Sequence, residues 1–75
     1  MKLSELPKML NIDNVKIFCQ NRLQAEVRTN NCIFTQEAFQ DNELIRSYLE
    51  NEIKEMSVSC GGYLHCYKTL EIYLK

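Results

Sequence analysis

Apolar positions along this chain recur in two rhythms, every second residue and every third or fourth. The first marks strands, whose side chains alternate between faces, and the second marks helices. Leu3, Leu6, Met9 and Leu10 are spaced to share one helical face, which predicts a short helix over residues 3–10. Ser4 would cap it, and Pro7 would sit in the first turn, where its missing N–H is tolerated. Asn11 and Asp13-Asn14 mark its exit. Val15, Ile17 and Cys19 then alternate with Lys16, Phe18 and Gln20, and Leu23, Ala25 and Val27 alternate with Gln24, Glu26 and Arg28. With Gln20-Asn21-Arg22 as the turn, these runs predict an antiparallel hairpin with one apolar face. After the polar turn Thr29-Asn30-Asn31, the run Cys32-Ile33-Phe34 reads as a short third strand or an extended lead into a helix.

Residues 35–51, TQEAFQDNELIRSYLEN, carry the one sustained helical period. Thr35 is a good N-cap, with Glu37 favourably placed against the helix dipole. Asp41-Asn42 offers a second start, so the helix begins at either point or breaks between them. Leu44, Ile45, Tyr48 and Leu49 gather on the inner face, with Glu43, Ser47 and Glu50 opposite. Glu52 would interrupt the apolar face, which ends the helix near Asn51.

Two strand patterns follow. Met56, Val58 and Cys60 alternate with Ser57 and Ser59, and Leu70, Ile72 and Leu74 alternate with Glu71, Tyr73 and Lys75. Gly61-Gly62 suggests a tight hairpin turn. A two-residue turn, however, would put Met56 and Val58 on the face opposite Leu70 and Ile72, because one residue of slip reverses every side chain. A bulge between about Leu64 and Thr69, or a wider loop GGYLHCYK, removes the conflict. The predicted order is α-β-β-(β)-α-β-β, an α+β fold. It has a short N-terminal helix and a small, mostly antiparallel sheet of four to five strands, with one main helix packed on one face.

Composition adds limits. A chain of 75 residues makes a single domain, 1–75, with 45% hydrophobic and 25% charged residues and only two Gly and one Pro. That composition argues against disorder. Net charge is −1, which gives no global field for nucleic acid or membrane. The opening MKLSELPKMLNID has no uninterrupted apolar run of the kind a signal peptide needs, and no stretch is long enough to span a bilayer. The expectation is a cytoplasmic protein with four reduced thiols.

Four Cys and one His raise metal and thiol chemistry. Cys19, Cys32, Cys60 and Cys66 lack the C-x₂₋₄-C knuckles that aim two thiolates at one ion, so no metal is expected. Cys19, Cys32 and Cys60 fall in apolar-patterned positions, where a thiol acts as a small hydrophobe. Cys60 and Cys66 could pair across a hairpin, which the reducing cytosol disfavours. His65 and Cys66 are adjacent, so in a strand they face apart. Cys60 with His65 is the better-placed pair, yet no base and orienting group complete it. Gly61-Gly62 lacks the strand-to-helix context of a phosphate loop. The expectation is a protein that is not an enzyme and uses no cofactor.

Binding surfaces remain. Residues 36–55 hold six Asp/Glu against Arg46 and Lys54, whereas residues 1–35 hold five Lys/Arg against three Asp/Glu. A plain solvated helix face accounts for this asymmetry, and so does an acidic patch at Glu37, Asp41, Glu43 and Glu50 that docks on a basic partner. Tyr63, Tyr67 and Tyr73 form a second candidate surface, on an aromatic strand face suited to a protein interface. The basic hairpin residues Lys16, Arg22 and Arg28 with Phe18 are the nucleic-acid alternative, less favoured than protein binding. An open sheet edge would also accept a second copy of the chain.

The opening LSELPKMLN followed by NVKIF resembles the start of small uncharacterised phage and prophage accessory proteins of Firmicutes-like bacteria. EMSVSC and TLEIYLK match their closing pair of strands, and the resemblance is one of layout. It implies a phage context in the host cytoplasm. The implied partner is another protein, such as a host nucleic-acid-binding effector, and anti-CRISPR inhibition is the sharpest implied role. No residue motif ties the chain to one such family.

Overall fold

The structure, a computed structural model, describes residues 1–29, 32–62 and 66–75. The strongest alternating segments form its larger sheet. Strands β2 (Asn14–Cys19) and β3 (Arg22–Arg28) make the expected antiparallel hairpin. Its loop is two residues long, and both have positive φ, Gln20 at 54° and Asn21 at 63°. Two such residues define a type I′ turn, whose twist matches that of the strands. A register shift at Ile17/Phe18 leaves Gln24 as the extra residue.

Strands β5 (Ile53–Gly61) and β6 (Tyr67–Leu74) form the second hairpin. Its closing pair is Gly61 with Tyr67, so the connection is the wider loop and not a two-residue turn. This register sets Val58 opposite Leu70 and Met56 opposite Ile72, which gives all four the same face. The hairpins join through β2 and β6, in the order β3-β2-β6-β5. That central pair is parallel, the one exception among the described residues of a sheet whose other pairings are antiparallel, as the mostly antiparallel expectation allows. The two most apolar strands take the two central places, and the long crossover between the hairpins fixes their direction.

Val15, Ile17, Ala25, Leu70, Ile72 and Leu74 turn one face of the sheet into the core. Leu3, Leu6, Ile12, Phe34, Phe39 and Ile45 cover it. Residues 3–10 do not form the expected helix. Leu3–Glu5 is a single 3-10 turn preceded by Lys2 rather than capped by Ser4. Leu6 is extended (φ −62°, ψ 154°), as a residue before proline prefers to be. Met9–Leu10, β1, then pairs with Phe34–Thr35, β4, in a separate two-stranded ladder.

The main helix is broken at its second possible start. Helix α1 is Gln36–Gln40 and α2 is Glu43–Arg46. Asn42 causes the break, because its side-chain oxygen accepts from the backbone N–H groups of Leu44 (3.0 Å) and Ile45 (3.2 Å). An N-cap of this kind starts a new helix rather than continuing an old one. From Arg46 to Asn51 the chain continues in turns closed by bonds such as Tyr48 N–H to the Ile45 carbonyl, 2.8 Å. The break rotates Leu44 outward, to 64% exposure, while Ile45 is fully buried. Phe39, outside the predicted inner face, takes a core place against Phe34 with ring centroids 4.6 Å apart.

Candidate functional site

Strand β5 has a buried partner on one side and none on most of the other. Its first residues are covered: Ile53 N–H donates to the Met1 carbonyl (2.7 Å), and Leu3 N–H to that of Asn51 (3.0 Å). From residue 54 to residue 61 no strand lies on that edge among the described residues. The core-facing side of this stretch is open as well. Met56 is 40% exposed and Val58 59%, although both share the face of the buried Leu70 and Ile72.

The reason is that the covering layer stops short. The N-terminal segment and α1–α2 pack over β2, β3 and β6, leaving a groove of about 470 Å³ above β5. Leu6, Pro7, Leu10 and Ile12 line one wall of it, and Met56, Val58 and Leu70 line the other. Glu5 is the one charged residue among those lining it, and its carboxylate accepts the Lys2 backbone N–H at 2.7 Å. An exposed apolar groove beside an unpaired strand is the geometry in which an extended segment adds to a sheet, with backbone bonds for affinity and side-chain pockets for selectivity.

The sequence-predicted surfaces fare differently. Glu37, Asp41, Glu43 and Glu50 are all exposed. Glu50, however, lies beyond α2 and pairs with Lys2 at 3.0 Å, and Glu43 sits 3.9 Å from Arg46. The Glu50 hydrogen bond and charge raise the Lys2 pKa. The helix break divides the four carboxylates between α1, α2 and the following turns, so they do not form one continuous helical stripe. Tyr67 and Tyr73 lie on the outer face of β6, six residues or about 20 Å apart. Tyr73 stacks on Phe18, with centroids 4.8 Å apart and planes 15° apart, and its hydroxyl donates to Glu71 Oε2 at 2.6 Å. That hydrogen bond, then burial and the carboxylate charge, push the phenol pKa up. Tyr63 and His65 fall outside the described residues. Of the basic hairpin set, Lys16 faces Glu26 at 3.9 Å, and Arg22 and Arg28 sit at opposite ends of β3.

The thiols depart from expectation. Cys60 and Cys66 form a disulfide, their Cα atoms 5.6 Å apart, within the usual span. This corrects the expectation of four reduced thiols, which followed from the cytoplasmic reading. Cys32 is exposed rather than core-like, in a left-handed conformation (φ 61°), and Cys19 is half-buried. A hydrogen bond to Asp13, then burial and the Asp13 charge, raise the Cys32 pKa. This keeps the thiol protonated and weakens it as a nucleophile. Among the described residues no three His, Cys, Asp or Glu side chains are grouped to hold a metal ion, and no helix is long and apolar enough to cross a membrane.

Alternation puts Met56 and Val58 on the apolar face of the sheet, and the structure leaves both exposed there. The available signal was the uncharged run MSVSCGG over residues 56–62, with neither the Pro nor the mid-strand Lys that guards an edge strand. Compared with known proteins, the chain matches no family model, no curated protein and no solved structure.

Proposed function

We propose that this protein acts by binding other protein chains, with the β5 edge and the groove beside it as the docking surface. The observation that carries the reading is the exposure of Met56 and Val58 on the core side of an unpaired strand. Docking there buries apolar side chains and satisfies free backbone groups in one step, which is the basis of strand addition. The acidic residues Glu37 and Asp41 add a local negative field that speeds encounter with a basic partner. The layout resemblance directs the search for that partner to a bacterial host. Inhibition of a defence effector, an anti-CRISPR role, is the sharpest form of the proposal. Nucleic-acid binding through the β2–β3 hairpin has less support, because Lys16 is matched by Glu26 and the two arginines lie apart.

The test compares wild-type protein with Val58→Lys as bait in a bacterial lysate, followed by binding measurements with each purified captured protein. A specific partner binds in fixed stoichiometry, and V58K weakens it at least tenfold. A partner whose affinity is the same for both baits removes the groove from the proposal. Reversal of Glu37 and Asp41 tests steering more cleanly than reversal of Glu43 and Glu50, which would also disrupt contacts with Arg46 and Lys2. Its expected effect is a slower association rate that falls less steeply with added salt.

A further inference from the structure

We infer that the chain docked on the β5 edge is a second copy of this protein, paired antiparallel about a twofold axis at Val58. The inference rests on the docking surface proposed above and names its occupant. The free part of the edge runs from residue 54 to residue 61, since Met1–Leu3 cover what precedes it. Its middle is Ser57-Val58-Ser59, a palindrome. An axis perpendicular to the sheet at Val58 sets Val58 against its own copy and Ser57 against Ser59. It also sets Met56 against Cys60 and Glu55 against Gly61. On the core-facing side every contact is then apolar, and on the outer side Ser57 meets Ser59 while Glu55 meets the side-chain-free Gly61. No charged residue faces a like charge, the arrangement that destabilises directly opposed strand positions.

The other edge of the sheet shows the contrast. Strand β3 has its midpoint at Ala25, and the same pairing there would set Arg22 against Arg28 twice. That edge resists self-association, whereas β5 is matched to itself. Because the axis keeps both core faces on one side, the two grooves also become continuous across the new pair. Met56 and Val58 of each copy then gain apolar neighbours across the new pair, Val58 against Val58 and Met56 against Cys60.

Charge-swap sedimentation tests this. Val58 is more than half exposed, so Val58→Lys and Val58→Glu each keep the fold, which far-UV circular dichroism verifies. Wild-type protein is expected to sediment as a dimer that dissociates on dilution. Each variant alone places like charges on the axis and weakens dimerisation about 100-fold or more. An equimolar mixture of V58K and V58E restores a heterodimer. A wild-type chain that stays monomeric at all concentrations overturns the inference. So does a V58K dimer as tight as wild type, or a mixture that fails to reassociate. If the wild-type chain is monomeric yet a purified protein partner still loses affinity to V58K, self-pairing falls while the protein-binding function stands.

Discussion

Leu44 and Ile45 are adjacent aliphatic residues that share the inner face of a continuous helix in the sequence pattern, and the break at Asn42 separates them. Replacing each with alanine therefore discriminates between the two arrangements. Ile45 is fully buried, and truncating a buried Ile leaves a cavity at a cost of about 2–5 kcal/mol. Leu44 is 64% exposed, and truncation there is expected to change stability by about 0.5 kcal/mol or less. Helix propensity does not confuse the comparison, because Leu and Ile differ little from each other against Ala. A chain of this length has a total stability of about 4–11 kcal/mol. Ile45→Ala thus removes a large share of it, and a loss of ~3 kcal/mol lowers Tm by about 12–24 °C. Thermal and urea unfolding followed by circular dichroism, at a shared m-value, measures both variants. If Leu44→Ala loses as much as Ile45→Ala, the two residues share one buried face and the placement of the break is wrong.

Four further outcomes follow from the same geometry. Asn42→Ala removes the acceptor for two backbone N–H groups and should lower stability by about 1 kcal/mol in urea titration. Replacing Gln20-Asn21 with Asn-Gly relieves two left-handed non-glycine residues in a type I′ turn, so midpoint denaturant concentration should rise by about 1 kcal/mol equivalent. Reducing Cys60–Cys66, or Cys60→Ser, should cost about 2 kcal/mol for so short a loop, with no further loss when reductant is added to the variant. Because the Tyr73 pKa is raised above the ordinary 10.0, its stabilising effect is complete below that pH and is lost as pH rises through the folded value. Ultraviolet titration should show Tyr73 ionising late, and Glu71→Gln should bring it back toward the ordinary range.

Much of the strand layout was legible because alternation is a local property. Val15, Ile17, Leu70, Ile72 and Leu74 lie in the core on that pattern alone. The conflict between Gly61-Gly62 and the two apolar faces was also visible, and the wider loop resolves it. What failed depended on context. Pro7 and its effect on Leu6 outweighed an apolar spacing that a short segment cannot turn into a stable helix. Asn42 outweighed the continuity of the helical period. The parallel β2–β6 pair was hidden because residues far apart in sequence leave no local trace of their direction. For the candidate site, alternation places Met56 and Val58 on the correct face, but how far a covering layer extends over that face is set by the whole fold. The four acidic residues were correctly read as exposed, whereas the neutralising contacts of Glu43 and Glu50 depend on side chains that alternation does not locate.

The parallel pair at the centre of the sheet also constrains how the molecule assembles. Asp13 and Lys68, hydrogen-bonded where β2 meets β6, are 55 residues apart in the chain. The β2–β3 hairpin can close early, but the free edge of β2 has no partner strand until β6 arrives. Closing so long a loop before the contacts repay its entropy places folding among the slower topologies for this size. Until then the backbone edge of β2 stands unpaired, and the early hairpin is the species that aggregates or engages a chaperone. Expression yield should therefore respond more to the apolar residues of β6 than to those of α2. A fragment ending before Leu70 should collect as inclusion bodies rather than as a smaller folded unit.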